Sequence, residues 1–336
     1  MALSLAEMRQ VLAPVSALQE IEVPVRGSGM SFSIEDSGPV FNLSALPDPL
    51  PVGPTALESA LRMVPGLSKT AVAQWPVDLL NHPLNWWFQH GDGQVKIMLP
   101  TDGTEVLAFT RAGKVGINPS HVLDVAVESL GSVGVDPESL VFDKVRVGLD
   151  STCFAAIAAA GQGARALKVG DVTQAGVMFF TTPTGQKATE ITPFLYRLVC
   201  TNGMISAAEM GRFAIRGGDG ESIGDWTRRL TLQAWDAVDG ELDAMASLVD
   251  IPINEGNSGQ VLSDLYERHH VSPGLRREIT EALAEEADGS MYGVAQAFSR
   301  AANDLEDPHA LRHLLMVTGD VAHQRDRCTA CQRVLN

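Results

Sequence analysis

The residues best suited to chemistry in this 336-residue chain stand near its end, where two positions separate Cys328 from Cys331 and His323 lies five before the first thiol. Two thiolates at that spacing can reach one tetrahedral ion, which makes the pair one half of a structural zinc site. His323 would supply a third ligand and His313 the nearest fourth, with His309 behind it; an ion shared by two subunits is the other way to complete the set. An unliganded tail is the plain alternative. A redox dithiol is the third, although such pairs ordinarily precede a helix in a thioredoxin-like unit. His269 and His270 are adjacent, so on a helix their side chains diverge by about 100° and do not readily share an ion.

Cys200 sits in the run Arg197-Leu-Val-Cys-Thr-Asn-Gly203, at what reads as a strand end before a helix from Ile205. A nucleophilic thiol needs a general base, and the nearest histidines in sequence are His121 and His269. Two alternatives stay open for this run. In one, a strand-to-helix turn aims amides and Asn202 at a ligand. In the other, Cys200 is a small buried side chain, Asn202 and Gly203 form the turn, and Arg197 pairs with an acid or a carbonyl. Phosphate loops and dinucleotide fingerprints are missing, since Gly161-Gln-Gly163 lacks its third glycine. Catalysis is the least supported class, because no acid and base pair or complete metal set stands out.

Single-strand DNA binding is the favoured expectation. Lys96, Arg111, Lys114, Lys144, Arg146, Arg165, Lys168 and Lys187 fall in the β-rich middle and would line a groove for phosphates. The aromatic cluster Asn85 to His90 would stack bases if exposed, or else line the core or an interface as a strand. Charge is uneven: residues 1–84 carry 4 basic and 8 acidic side chains, 85–216 carry 11 and 12, and 217–336 carry 10 and 21, for −16 overall. A generic phosphate-binding surface is disfavoured by that balance. The alternative class is therefore a protein-partner or anti-host module that works through its acidic helices without nucleic acid, and a homo-oligomer is compatible with either class.

Positioning these groups requires an α+β fold, with a hairpin-rich antiparallel sheet and a packed helix in the middle third and an all-helical part after it. Prolines 47, 49, 51 and 54 punctuate residues 1–84, which read as short strands and a helix from Thr55 to Val64. Residues 85–216 form the β-rich core. Gln94 to Leu99 and Thr104 to Thr110 alternate around a Gly-containing turn, and Asn118 with Pro119 starts a helix that carries Val122, Leu123, Ala126, Val127 and Leu130 on one face. Strands follow at Leu140–Leu149, Val172–Thr181 and Gln186–Cys200. Beyond the hinge Gly217 to Gly220, residues 217–322 are helical, with starts at Ser258, Ser272, Ser290 and Asp307, and 323–336 is the cysteine-bearing tail. No apolar run of eighteen residues and no basic leader ahead of an apolar stretch is present, so the expectation is a cytoplasmic protein of a host cell, without a membrane contact.

The segment Val169 to Phe180, leading into Ile191 to Ile205, resembles the signature of the phage and plasmid family known as domain of unknown function 932, most specifically in the Arg197 to Gly203 run. The helix Met291 to Ala302, followed by Leu311 to Gly319, is similar to that family's helical block. The resemblance spans residues 85 to 322 and implies a mobile-element setting; it implies no catalytic residues. Within that setting a replication or recombination factor of the annealing type is the expected activity, by analogy of layout alone.

Overall fold

The computed structural model describes residues 3–67, 75–113, 116–148, 151–168, 171–185, 188–197, 202–205, 212–213, 222–253, 255–286 and 288–323. Local signals decide where its elements begin. The Ser4 hydroxyl accepts from the Glu7 amide while the Glu7 carboxylate accepts from the Ser4 amide at 2.8 Å, a reciprocal cap that starts helix α1 (Leu5–Ser16).

Six strands and two helices follow: β1 (Gln19–Pro24), β2 (Ser31–Glu35), β3 (Gly38–Asn42), β4 (Leu50–Pro51), α2 (Pro54–Met63), α3 (Val77–His90), β5 (Gln94–Leu99) and β6 (Ala108–Arg111). They make two antiparallel sheets, β1-β5-β6 and β2-β3-β4, that share one cluster around Phe32, Phe41, Leu84, Trp87 and Phe109. The β5–β6 hairpin and α2 match the sequence pattern. Residues 85–90 do not: they are the last turns of α3 rather than a strand. Leu80, Leu84, Trp87 and Phe88 are spaced as one helical stripe and bury it, and this outweighs the local β preference of Trp and Phe. Asn85 fastens that helix to β2, accepting from the Phe32 amide and donating to its carbonyl, both at 2.7 Å.

The larger part is a seven-stranded antiparallel sheet of β7 (Leu140–Val147), β8 (Cys153–Ala159), β9 (Arg165–Lys168), β10 (Asp171–Thr181), β11 (Thr189–Arg197), β12 (Asn202–Ile205) and β13 (Arg212–Phe213). The order is β12-β11-β10-β8-β7, with β9 added to β10 and β13 to β11. Helix α4 (Pro119–Ser132) precedes it, capped by Asn118, which accepts from the Ser120 and His121 amides. Five helices complete the described chain: α5 (Ile223–Val249), α6 (Glu255–Arg268), α7 (Pro273–Glu286), α8 (Met291–Asn303) and α9 (Pro308–His323). The fold is α+β, with antiparallel sheets in the middle and helices at the C-terminal end, as expected.

Both faces of the sheet are buried at its centre, along β8, β10 and β11. Phe154, Ala156, Met178, Phe180 and Phe194 face the core with α6 to α9, while Cys153, Ala155, Ile157, Val177 and Phe179 face α1 and α4. Helix α5, about 40 Å long at 1.5 Å per residue, serves both cores: Trp226 and Leu230 enter one, Val238 to Leu248 the other. The chain after Arg197 also departs from expectation. In place of the expected turn, Asn202–Ile205 returns as β12 with Arg197 opposite Asn202 and Tyr196 opposite Gly203, and the helix expected from Ile205 lies, past that residue, outside the described residues. Asn202 and Gly203 are thus strand residues rather than turn formers. No helix among the described residues is long and apolar enough to cross a membrane.

Candidate functional site

Where β10 and β11 meet the helical layer, the residues of the sequence motif acquire partners. A side chain at Gly176 would collide with the Ile157 carbonyl of β8, so glycine is what allows the two strands to close at this point. Arg197, at the end of β11, donates to Asp171 at 2.7 Å and to Glu286 of α7 at 3.0 Å, and both carboxylates are buried. The Tyr292 hydroxyl of α8 donates to the other Asp171 oxygen at 2.9 Å. Burial works against the Arg197 charge, but the bonds from Asp171 and Glu286 outweigh it and hold the guanidinium above its ordinary value. Burial, then the Asp171 charge, pushes the Tyr292 phenol up. Sequence reasoning anticipated a partnered Arg197 but missed Asp171, Glu286 and Tyr292, of which Glu286 lies 89 residues away along the chain and Tyr292 farther still.

The candidate cations occupy separate places. Lys96 is buried against Glu20 of β1 at 2.6 Å. Arg111 is exposed at the end of β6. Lys144, in the left-handed region at φ 52°, marks a bulge in β7 and donates to Asn303. Arg146 donates to the Leu305 carbonyl at 2.9 Å and the Asn303 carbonyl at 3.2 Å, where a cation favours a helix C-terminus. Arg165 pairs with Asp243 of α5, and Lys168 with Asp288 at 2.8 Å. Lys168 and Ser290 together hold the Asp288 carboxyl below its usual range although burial opposes them. Lys114 and Lys187 lie outside the described residues.

Those side chains do not form one stripe. Arg146 lies across β8 from Phe180 and Arg165 lies opposite Thr173, seven positions apart on β10, or about 23 Å at 3.3 Å per residue.

Around the proposed metal ligands the histidines are engaged elsewhere. His313 Nε2 is 2.8 Å from the His269 carbonyl and His323 Nε2 is 2.5 Å from Glu241 of α5. Cys200, Cys328 and Cys331 lie outside the described residues. Among those described, no group of three or more His, Cys, Asp or Glu is placed to hold a metal ion.

An open groove of about 520 Å³ runs between α6 and α7. Ile253, Leu262, Leu283 and Ala284 give it apolar walls, and Thr280 and Asp288 stand among them. Glu267, Glu278 and Glu281 are exposed on the same two helices. The sequence pattern located the helices but not the groove, because it depends on how α6 and α7 splay from each other.

Comparison with known protein families, curated proteins and solved structures finds no match.

Proposed function

We propose that the chain is a non-enzymatic partner-binding module that holds a basic segment of another protein in its acidic helical layer. The open groove between α6 and α7 carries this reading. It offers apolar walls within the part of the chain where acids most outnumber bases, 21 to 10. A Leu-sized side chain entering it would gain about 25 cal/mol per Å² of apolar surface removed from water. Lysines or arginines beside that side chain would meet Asp288 at the groove and a helical layer in which acids outnumber bases. A phage or plasmid setting, as the family resemblance implies, suits a protein that acts by occupying another protein.

The single-strand DNA proposal rests on the sheet cations. It is weakened by their partners: a phosphate would have to displace Asp243 from Arg165, Asp288 from Lys168 and a helix terminus from Arg146. Anisotropy with labelled single- and double-stranded oligonucleotides and with a labelled amphipathic Leu/Lys peptide, across a salt series, separates the two. Peptide binding weakened at least about tenfold by Ala284→Arg, which fills the groove and adds a positive charge to it, is the expected result. Salt-sensitive oligonucleotide binding that is untouched by this substitution would overturn it.

A further inference from the structure

Large apolar side chains are left in solvent at few described positions, and four of the seven fall between residues 75 and 86: Trp75, Val77, Leu79 and Trp86. Trp86 is 58% exposed, and the His90 ring stacks on it at 5.2 Å between centroids and 20° between planes. Leu79, Trp86 and His90 are spaced as one helical face, opposite the Leu80, Leu84, Trp87 and Phe88 stripe that α3 buries. Two sides of one helix are therefore apolar, and the fold covers one. Concentrated exposed apolar surface of this kind marks a contact site.

The charges beside it identify the occupant. Residues 75–92 contain two aspartates, Asp78 and Asp92, and no lysine or arginine. Glu35 and Asp36 project at the tip of the hairpin whose strand β2 carries α3. A second copy of this chain, at −16, would bring like charge to an acidic rim, and an anionic lipid surface would do the same. We propose that the Leu79, Trp86 and His90 face of α3, with Trp75 just ahead of the helix, is a second docking surface, filled by a protein segment whose apolar face is bordered by lysine or arginine. It is separate from the α6–α7 groove, since its helix belongs to the N-terminal core.

The test uses the full chain and two labelled peptides, an amphipathic Leu/Lys helix and the same helix with Glu in place of Lys. Three proteins are compared: the parent, Trp86→Ala and Ala284→Arg. Docking on α3 is expected to appear as Leu/Lys binding with a component that Trp86→Ala weakens at least about tenfold, the loss typical of an aromatic at the centre of an interface. That component persists in Ala284→Arg and is absent with the Leu/Glu helix. Binding lost only in Ala284→Arg would overturn the α3 proposal while leaving the groove intact; loss only in Trp86→Ala would do the reverse. Equal affinity for the Leu/Glu helix would overturn the charge selection. Sedimentation showing self-association that Trp86→Ala abolishes would hand the face to a second copy and overturn the proposal as well.

Discussion

In the sheet-and-helix region, Arg165, Lys168, Arg197 and Arg312 each reach a carboxylate of the same chain, and Arg312 also lies 5.2 Å over the Phe180 ring. The N-terminal region treats its surface differently, leaving Trp75, Val77, Leu79 and Trp86 in water beside acids. Charge in the first region closes the fold: Arg165 and Arg312 join the sheet to helices that follow it in sequence, Lys168 joins it to the connection before α8, and Arg197 joins β10 within the sheet as well as α7. Apolar surface in the second region contributes nothing to its own core and is available for another molecule. A cation-rich segment is therefore a poor guide to a binding face when distant acids complete it, and an aromatic cluster is a better one when its helix has already buried its other side.

The strongest way to break that contrast is to remove Arg197. Arg197→Ala leaves Asp171 buried without its cation and Glu286 with only Arg300, at 4.0 Å, and the loss of a partner from such a site costs about 3–5 kcal/mol. Urea unfolding measures this loss. A cost below about 1 kcal/mol would mean that the network is solvated and that its charges do not close the fold. Next in size is Leu84→Ala, which opens a cavity under α3 in the N-terminal core and costs about 2–5 kcal/mol. Tryptophan fluorescence and far-ultraviolet circular dichroism should separate in that variant, with the N-terminal elements melting first; coincident transitions would show that the two regions unfold as one.

The sequence disclosed elements wherever one physical signal acted alone. Asn118 with Pro119, Ser290 and Asp307 with Pro308 start helices where expected, since capping is a local hydrogen-bonding problem. Strand β8, Cys153-Phe-Ala-Ala-Ile-Ala-Ala159, escaped notice because both its faces are buried and no polar alternation marks it. Helix α3 was concealed by Trp86-Trp-Phe88, whose β preference is overridden by the stripe from Leu80. The ion pairs were the least legible part. Arg197 is visible in sequence as a charge that needs a partner, but the choice of Asp171 and Glu286 depends on the stacking of β10, β11 and α7.

Smaller, and dependent on pH, is the contribution of His269. Burial, followed by the charges of Arg268, His313 and His270, holds its pKa at about 4, against 6.5 in an unfolded chain. Between those values the unfolded state binds more protons, so stability falls as pH drops from 6.5 towards 4. Asp320, 3.6 Å away and itself pushed up by burial, works against that loss. His323 has the opposite sign. Its hydrogen bond to Glu241 outweighs burial and raises its pKa, so this contribution is present below about 6.5 and fades as pH rises through the folded value. Chemical unfolding from pH 4 to 8 should show His269→Gln flattening the acid limb and His323→Gln flattening the neutral-to-alkaline one. An unchanged acid limb in His269→Gln would place the acid sensitivity in the carboxylates instead.

Trp86→Ala should have the least effect on stability, and this is what sharpens the contrast most. The side chain is more exposed than buried, so its removal forfeits little apolar burial, and the stack on His90 is worth about 0.5–1.5 kcal/mol only where such pairs are buried. A change within about 0.5 kcal/mol is expected by thermal and urea melts. Leu84→Ala, two residues earlier on the opposite side of the same helix, should cost several times more. If both substitutions cost the same, the outer face of α3 is part of the core and is not free to dock anything. If only Leu84 matters, the helix carries two apolar faces with separate purposes, one holding the fold and one left for a partner.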